Sequence, residues 1–466
     1  MVFSSLEFIF WFLPFFLFVY FLMPVRYRNI VIFVFSMLFY AYGALDKPAY
    51  ILLLLCSILV NYVFGMLIGR SRNHKKAFLA AGLIYDFGAL FIFKYTDFFI
   101  GNINAVISNF SIKPLPAANL LLPIGISFYT FQAASYLIDV YRSDVPAEKS
   151  PLKLGTYIVM FPQLIAGPIV RFSDVRVDLR KRICTRKKFV AGIAYFVFGL
   201  GYKVLLANRL SGLWQGVAGI GYESVSVPLA WMGIIAYSLQ IYFDFYGYSL
   251  MAIGLGKMIG FSFPQNFNYP YISRSMTEFW RRWHITLGTW FREYVYIPLG
   301  GNRKGAARTY FNLLCVWLLT GFWHGADWNF ILWGLFLFAV IAIEKAGLLK
   351  LLERFKIFSH IYMLLLIPLS WLVFALTDLS DIWIYLGRLF GAGGINVFEG
   401  DYISYLQQYG IFLLAGILLS TKLPKVILKY IRKKPIIMAA VLLAVFAGSV
   451  YCIYMGMNDP FLYFRF

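Results

Sequence analysis

The sequence is poor in charge and poorer in the residues that usually carry chemistry. Only 14% of its 466 residues are Asp, Glu, Lys or Arg, and it has four histidines and four cysteines. Cys56, Cys184, Cys315 and Cys452 stand far apart with no C-x-x-C pair. That speaks against a disulfide framework and against a zinc site. The nucleophile elbow G-x-S-x-G, the metalloprotease H-E-x-x-H and the Walker A loop are all missing. Gly254-Leu-Gly-Lys-Met-Ile-Gly260 misses the dinucleotide fingerprint by one position and lies in an apolar run. There is no long polar insert, internal repeat or low-complexity tract, so a single domain over residues 1–466 is expected.

What the chain has in abundance is apolar sequence. Hydrophobic residues make up 61%, and the mean hydropathy is +0.73. Apolar runs long enough to cross the hydrocarbon core recur, which predicts an all-α polytopic membrane protein with about ten to twelve elements at membrane depth. The alternating segments of a β-barrel are not seen. A net charge of +21 could suggest nucleic-acid binding, but the Lys and Arg fall in short loops between spans. That is the pattern that sets orientation in a bilayer.

Spans are expected at 3–23, 30–42, 50–68 and 77–95, the last holding Asp86. The first starts almost at Met1 with no basic leader, so it reads as a span rather than a cleaved signal. Basic loops at 24–28 and 70–76 are two spans apart, and both place the N-terminus outside. Residues 98–120 read as an outside loop, which closes an N-terminal group of spans over 1–120. A core over 121–330 follows. In it, Phe161-Pro-Gln-Leu-Ile-Ala-Gly-Pro168 breaks its apolar run with two prolines and a glycine. Broken helices persist at membrane depth only where protein or water satisfies the backbone. Residues 171–188 carry eight Lys or Arg, a cytosolic loop. The run from 228 to 259 holds Tyr242-Phe-Asp-Phe-Tyr-Gly-Tyr-Ser249, where Asp244 needs a partner or a proton. More spans fill 331–466, around a further basic stretch at 422–434.

Residues 271–325 hold two of the four histidines. Ser275-Met-Thr-Glu278 fits a capping box. A continuous helix from Met276 would carry Trp280, His284 and Gly288 on one face. Trp283 falls on a neighbouring apolar face, and Arg281 and Arg282 add charge suited to lipid or carrier phosphates. The segment suits a helix at the interface or dipping in from one side. His324 ends a second apolar run between Gly321 and Gly325, whose small size permits close approach. A neutral imidazole at such depth suits proton removal near pH 7. His74 and His360 attract no role. The residues alone give no nucleophile, metal site or nucleotide fold, and they suit general-base activation of a hydroxyl.

These stretches resemble the membrane-bound O-acyltransferase family, in its bacterial alginate O-acetyltransferase branch. The resemblance rests on Phe131-Gln-Ala-Ala-Ser-Tyr-Leu-Ile-Asp-Val-Tyr-Arg142, Phe161 to Pro168, Tyr242 to Ser249 and Gln265-Asn-Phe-Asn-Tyr-Pro-Tyr271. It continues through Thr277 to Lys304 with Trp280-Arg-Arg-Trp-His284, Gly321-Phe-Trp-His-Gly325 and Pro460-Phe-Leu-Tyr-Phe-Arg-Phe466. Arg465 stands where the branch has a neutral polar residue. The resemblance implies a ring of helices around a central tunnel, with His324 as the catalytic base and His284 as its second motif histidine. Asp244, Asn266, Trp280, Arg281, Arg282, Trp283 and Trp323 become candidates to line the tunnel or bind substrate. It implies an acyl thioester donor such as acetyl-CoA, no permanently bound cofactor and no metal. It also implies an extracytoplasmic acetyltransferase partner, a cell-surface polysaccharide acceptor and residence in a bacterial inner membrane. Two alternatives remain at this point: D-alanyl transfer from a phosphopantetheine carrier protein, and a transporter of lipid-linked glycans.

Overall fold

The structure is a computed structural model that describes residues 1–110 and 112–456. The terminal match with Arg465 lies outside the described residues. Among them the chain is helical throughout, with no strand. Six helices are long and apolar enough to cross a membrane: Ala49–Arg70, Lys75–Phe110, Arg186–Ile220, Lys356–Ala375, Asp401–Leu419 and Pro435–Tyr454. Val227–Met258, Ala306–His324 and Trp328–Ile343 also form helices where the sequence pattern places spans. They are too polar or too short to count among the six.

Contacts divide the chain into two compact units, Met1–Ile193 with Ala252–Pro264, and Ala194–Met251 with Gln265–Phe466. The first unit holds the broken segment. Its helix Pro151–Val159 stops, Met160 turns out of helical conformation (ψ 111°), and a four-residue helix Phe161–Leu164 follows. All of 154–170 is buried. Protein groups replace the lost helical bonds: the Phe161 amide donates to Ser36 Oγ, and the Tyr157 hydroxyl to the Val170 carbonyl. The Phe161 ring packs among Phe3, Phe8, Phe12, Phe16 and Phe39, which anchors the break. Asp86 finds its partner in the Asn61 amide at 2.7 Å.

Two expectations in this unit need correction. The span expected to end near residue 95 continues as a helix to Ile107 and on through a 3-10 turn to Phe110. Nothing in the intervening sequence breaks it, and the chain after it folds back: Asp97 Oδ1 accepts from the Ala118 amide, and Asn104 bonds both ways with Leu115. The basic stretch 171–188 is not simply a solvated loop. It contains the helix Phe172–Arg180, and Arg182 is buried, with its guanidinium on Asn29 Oδ1 and against the Phe261 ring.

In the second unit's hydrophobic core, Trp283, Trp333, Trp371, Phe279 and Phe374 pack with Tyr242 and Phe267. Two antiparallel helices, Ala306–His324 and Trp328–Ile343, form its tightest pair. A Cβ on Gly321 would run into the Phe330 carbonyl, and one on Gly334 into the Trp317 carbonyl. These glycines therefore let two helix backbones touch, as small residues do in membrane helix pairs. The small flank of His324 thus admits another helix at close range.

Candidate functional site

Residues 276–291 do not form the single helix that their spacing predicts. Helix Met276–Arg282 ends, and Ile285–Phe291 begins after a sharp turn at His284, which takes the left-handed conformation (φ 42°, ψ 53°). Such backbone is costly for a residue other than glycine and persists where surroundings enforce it. Here the loop at 266–268 enforces it: Asn268 N donates to the Arg282 carbonyl, and Ile285 N donates to the Asn266 carbonyl. The start of the first helix is held as the capping box predicts in one half, with Ser275 Oγ accepting from Glu278 N. In the other half Glu278 reaches the Arg274 amide instead of Ser275.

A residue that sequence reasoning missed holds the same end. Glu344 is fully buried and accepts from the Met276 amide at 2.6 Å, the Thr277 amide at 2.8 Å and the Thr277 hydroxyl at 2.6 Å. The Tyr362 hydroxyl donates to it as well. A carboxylate is well placed there, because the helix N-terminus presents free amides and a partial positive charge. The one available signal was an acidic residue closing the apolar run 328–343.

His284 is buried, and its Nδ1 lies 3.0 Å from Asn266 Oδ1. That oxygen also accepts from the Thr286 amide and hydroxyl, while the other end of the amide donates to Ser249 Oγ. The amide orientation is thereby set, so Nδ1 must donate and Nε2 keeps its lone pair. Burial, and secondarily the nearby His324, hold the His284 pKa well below its usual value. Asn266, a candidate tunnel residue by sequence, is thus a positioning residue. Asn266→Asp would put a carboxylate against Nδ1 and raise the His284 pKa. Histidine NMR titration checks this, and an unmoved titration contradicts the contact.

The kink keeps Trp280, His284 and Gly288 together after all. All three line a pocket of about 270 Å³, with Leu313, Val316, Trp317 and Thr320 of the Ala306–His324 helix along one wall. Arg281, Arg292 and Lys345 also line it. Arg281 further lines a neighbouring pocket of about 390 Å³ with Arg274 and Glu353. Arg282 is turned elsewhere, paired with Glu278 Oε1 at 2.6 Å and bonded to the Asn268 carbonyl. The two adjacent arginines therefore have different surroundings, which their shared charge could not reveal.

His324 is 7% exposed and does not line this pocket. It lies one helical turn past Thr320 on the same helix. Its ring meets Trp323, Trp333 and Phe374 edge-on at 4.9, 5.2 and 5.2 Å between centroids. Trp323 also meets the His284 ring at 6.2 Å, so one indole touches both imidazoles. Trp283 packs in the core against Trp371 and Phe279 and does not line the pocket. Asp244 is not brought to the histidine pocket either. It pairs with Lys203 at 2.8 Å, both nearly fully buried, and Lys203 also bonds Asn208. Removing one partner of such a buried pair costs roughly 3–5 kcal/mol.

Comparison with known proteins bears on what this arrangement does. A model of the membrane-bound O-acyltransferase family matches residues 117–378. The probable alginate O-acetylase AlgI of Azotobacter vinelandii is 42% identical over 397 residues, covering 84% of this chain and 79% of the relative. The peptidoglycan O-acetyltransferase of Helicobacter pylori is 33% identical over 439 residues, covering 85% and 81%. The teichoic acid D-alanyltransferase of Bacillus subtilis is more distant, 30% identical over 236 residues and covering 47% and 58%. Both histidines and the whole pocket fall inside the matched region, and the chain belongs to the membrane-bound O-acyltransferase family.

Proposed function

We propose that the protein transfers an acetyl group from an acyl thioester on the cytosolic side to a hydroxyl on the other side, in the O-acetylation of a cell-surface polysaccharide. The observation that carries this reading is the course of the His284 pocket along the Ala306–His324 helix. Basic residues 303, 304 and 308 near the start of that helix mark its cytosolic end by the orientation rule. Arg292 and Lys345 line the pocket from elements that lie towards the same end, and with Arg281 they suit an anionic, phosphate-bearing donor such as acetyl-CoA. Leu313, Val316 and Thr320 follow the helix inward to His284, and His324 lies one turn further, about 28 Å along for 19 residues.

In this reading the thioester lies in the pocket with its carbonyl near His284, and the acceptor hydroxyl meets His324 from the opposite side. An imidazole nitrogen of His324 takes the hydroxyl proton as the oxygen attacks the carbonyl carbon. The C–O bond forms, the C–S bond breaks, and the imidazolium returns its proton to the leaving thiolate. His284, with Nδ1 donating to Asn266, accepts a hydrogen bond at Nε2 from the donor or from the acceptor. Asn266 fixes its tautomer and Glu344 fixes the helix before it.

The acetylating relatives favour acetyl over D-alanyl transfer, since they cover most of this chain at higher identity. An extracytoplasmic acetyltransferase partner would pass the group to the glycan. The protein would sit in a bacterial inner membrane with its N-terminus outside, an orientation the two early basic loops favour. Purified protein in proteoliposomes, given labelled acetyl-CoA or a D-alanyl carrier protein with the partner present, tests the donor. Acetyl label should leave the donor and the D-alanyl group should not; preferential D-alanyl consumption overturns the reading.

A further inference from the structure

From residue 402 to residue 458 the sequence contains no Asp or Glu. Three helices occupy the described part of this interval and its start: Asp401–Leu419, Leu423–Ile431 and Pro435–Tyr454. The first and third are apolar and long enough to cross a membrane. The nine-residue helix between them is about 13 Å long, too short to cross. It is tied at both ends to spans by turns of a few residues, so it lies where those spans leave the bilayer.

Its side chains sort into three sets. Pro424 is buried, and Leu428 and Ile431 are partly so. Leu423, Val426, Ile427 and Tyr430, at i, i+3, i+4 and i+7, form one exposed apolar row. Lys422, Lys425, Lys429, Arg432, Lys433 and Lys434 are exposed, and among the described residues none of them forms an ion pair. The Lys434 ammonium lies 5.0 Å from the centroid of the Tyr430 ring, which places a cation beside the apolar row.

We propose that this helix is a docking surface for anionic phospholipid headgroups, with the apolar row in the headgroup–acyl boundary and the six cations on lipid phosphates. Basic clusters on amphipathic helices beside membrane spans recognise anionic lipid in this way. A soluble acidic protein would neutralise the cations but leave Leu423, Val426, Ile427 and Tyr430 uncovered. A leaflet interface accommodates both sets at once. A purely zwitterionic surface would take the apolar row and leave six cations without counter-charge.

The test uses the full chain in nanodiscs of phosphatidylcholine alone or with about a quarter phosphatidylglycerol, read by hydrogen exchange over residues 421–434. Exchange should slow by about tenfold in the anionic discs, and the difference should shrink in high salt. The variant K425Q/K429Q/R432Q/K433Q should lose the difference, while Asp401–Leu419 and Pro435–Tyr454 exchange as before in both discs. Equal exchange of the unaltered chain in the two lipids overturns the proposal. So does protection that the variant retains, which would mean apolar burial alone, and so does protection seen only when an acidic soluble protein is added.

Discussion

Replacing His324 with alanine, at matched protein level, abolishes acetyl transfer. The proposed chemistry assigns the hydroxyl proton to His324, and a positioned general base contributes roughly 10² to 10⁴ in rate. The side chain is wedged edge-on among three aromatic rings, so its loss also leaves a small cavity. His324→Gln, which keeps most of the volume, separates the two effects: activity should stay lost while thermal stability recovers. His284→Ala should lower the rate strongly as well, and a near-normal rate there would reduce His284 to a structural role. Retained activity in both His324 variants would refute the assignment of the base.

Gly288→Trp closes the donor pocket. Gly288 is an exposed position of the Ile285–Phe291 helix, and a Cβ added there meets only the Trp280 carbonyl at 3.7 Å, an ordinary contact. Gly288→Ala should therefore fold well, gaining up to about 1 kcal/mol of helix propensity, and keep most of its activity. A tryptophan at the same place would project into the 270 Å³ space beside His284. Activity should fall by on the order of 10²-fold, because the thioester carbonyl could no longer reach its near-attack position. Donor titration distinguishes this from misfolding: the alanine variant keeps its KM, and the tryptophan variant shows no saturation. Equal rates for the two variants would mean that the donor arrives by another route.

Much of this site could be read before any coordinates. The two histidines drew notice because an apolar chain has little reason to hold imidazoles at depth. The break at Pro162 and Pro168 is written in residues that cannot continue a helix. The face made by Trp280, His284 and Gly288 was right as a set and wrong as a helix. The left-handed turn at His284 comes from Asn266, 18 residues earlier in a loop with no periodic pattern. Glu344 reaches the same segment from about 68 residues away, and a lone carboxylate after an apolar run carries no sign of its partner. Asp244 needs a partner or a proton, yet nothing in the sequence points to Lys203, which sits in a different helix at no recognisable spacing. Local chemistry was legible; contacts set by tertiary packing were not.

The most direct measurement is a structure of the protein bound to a non-hydrolysable acetyl thioester analogue. The account predicts the analogue along the Ala306–His324 helix, its phosphates near Arg281, Arg292 and Lys345, and its carbonyl carbon between His284 and His324. An analogue seated away from that helix, or with its carbonyl out of reach of both imidazoles, would contradict it.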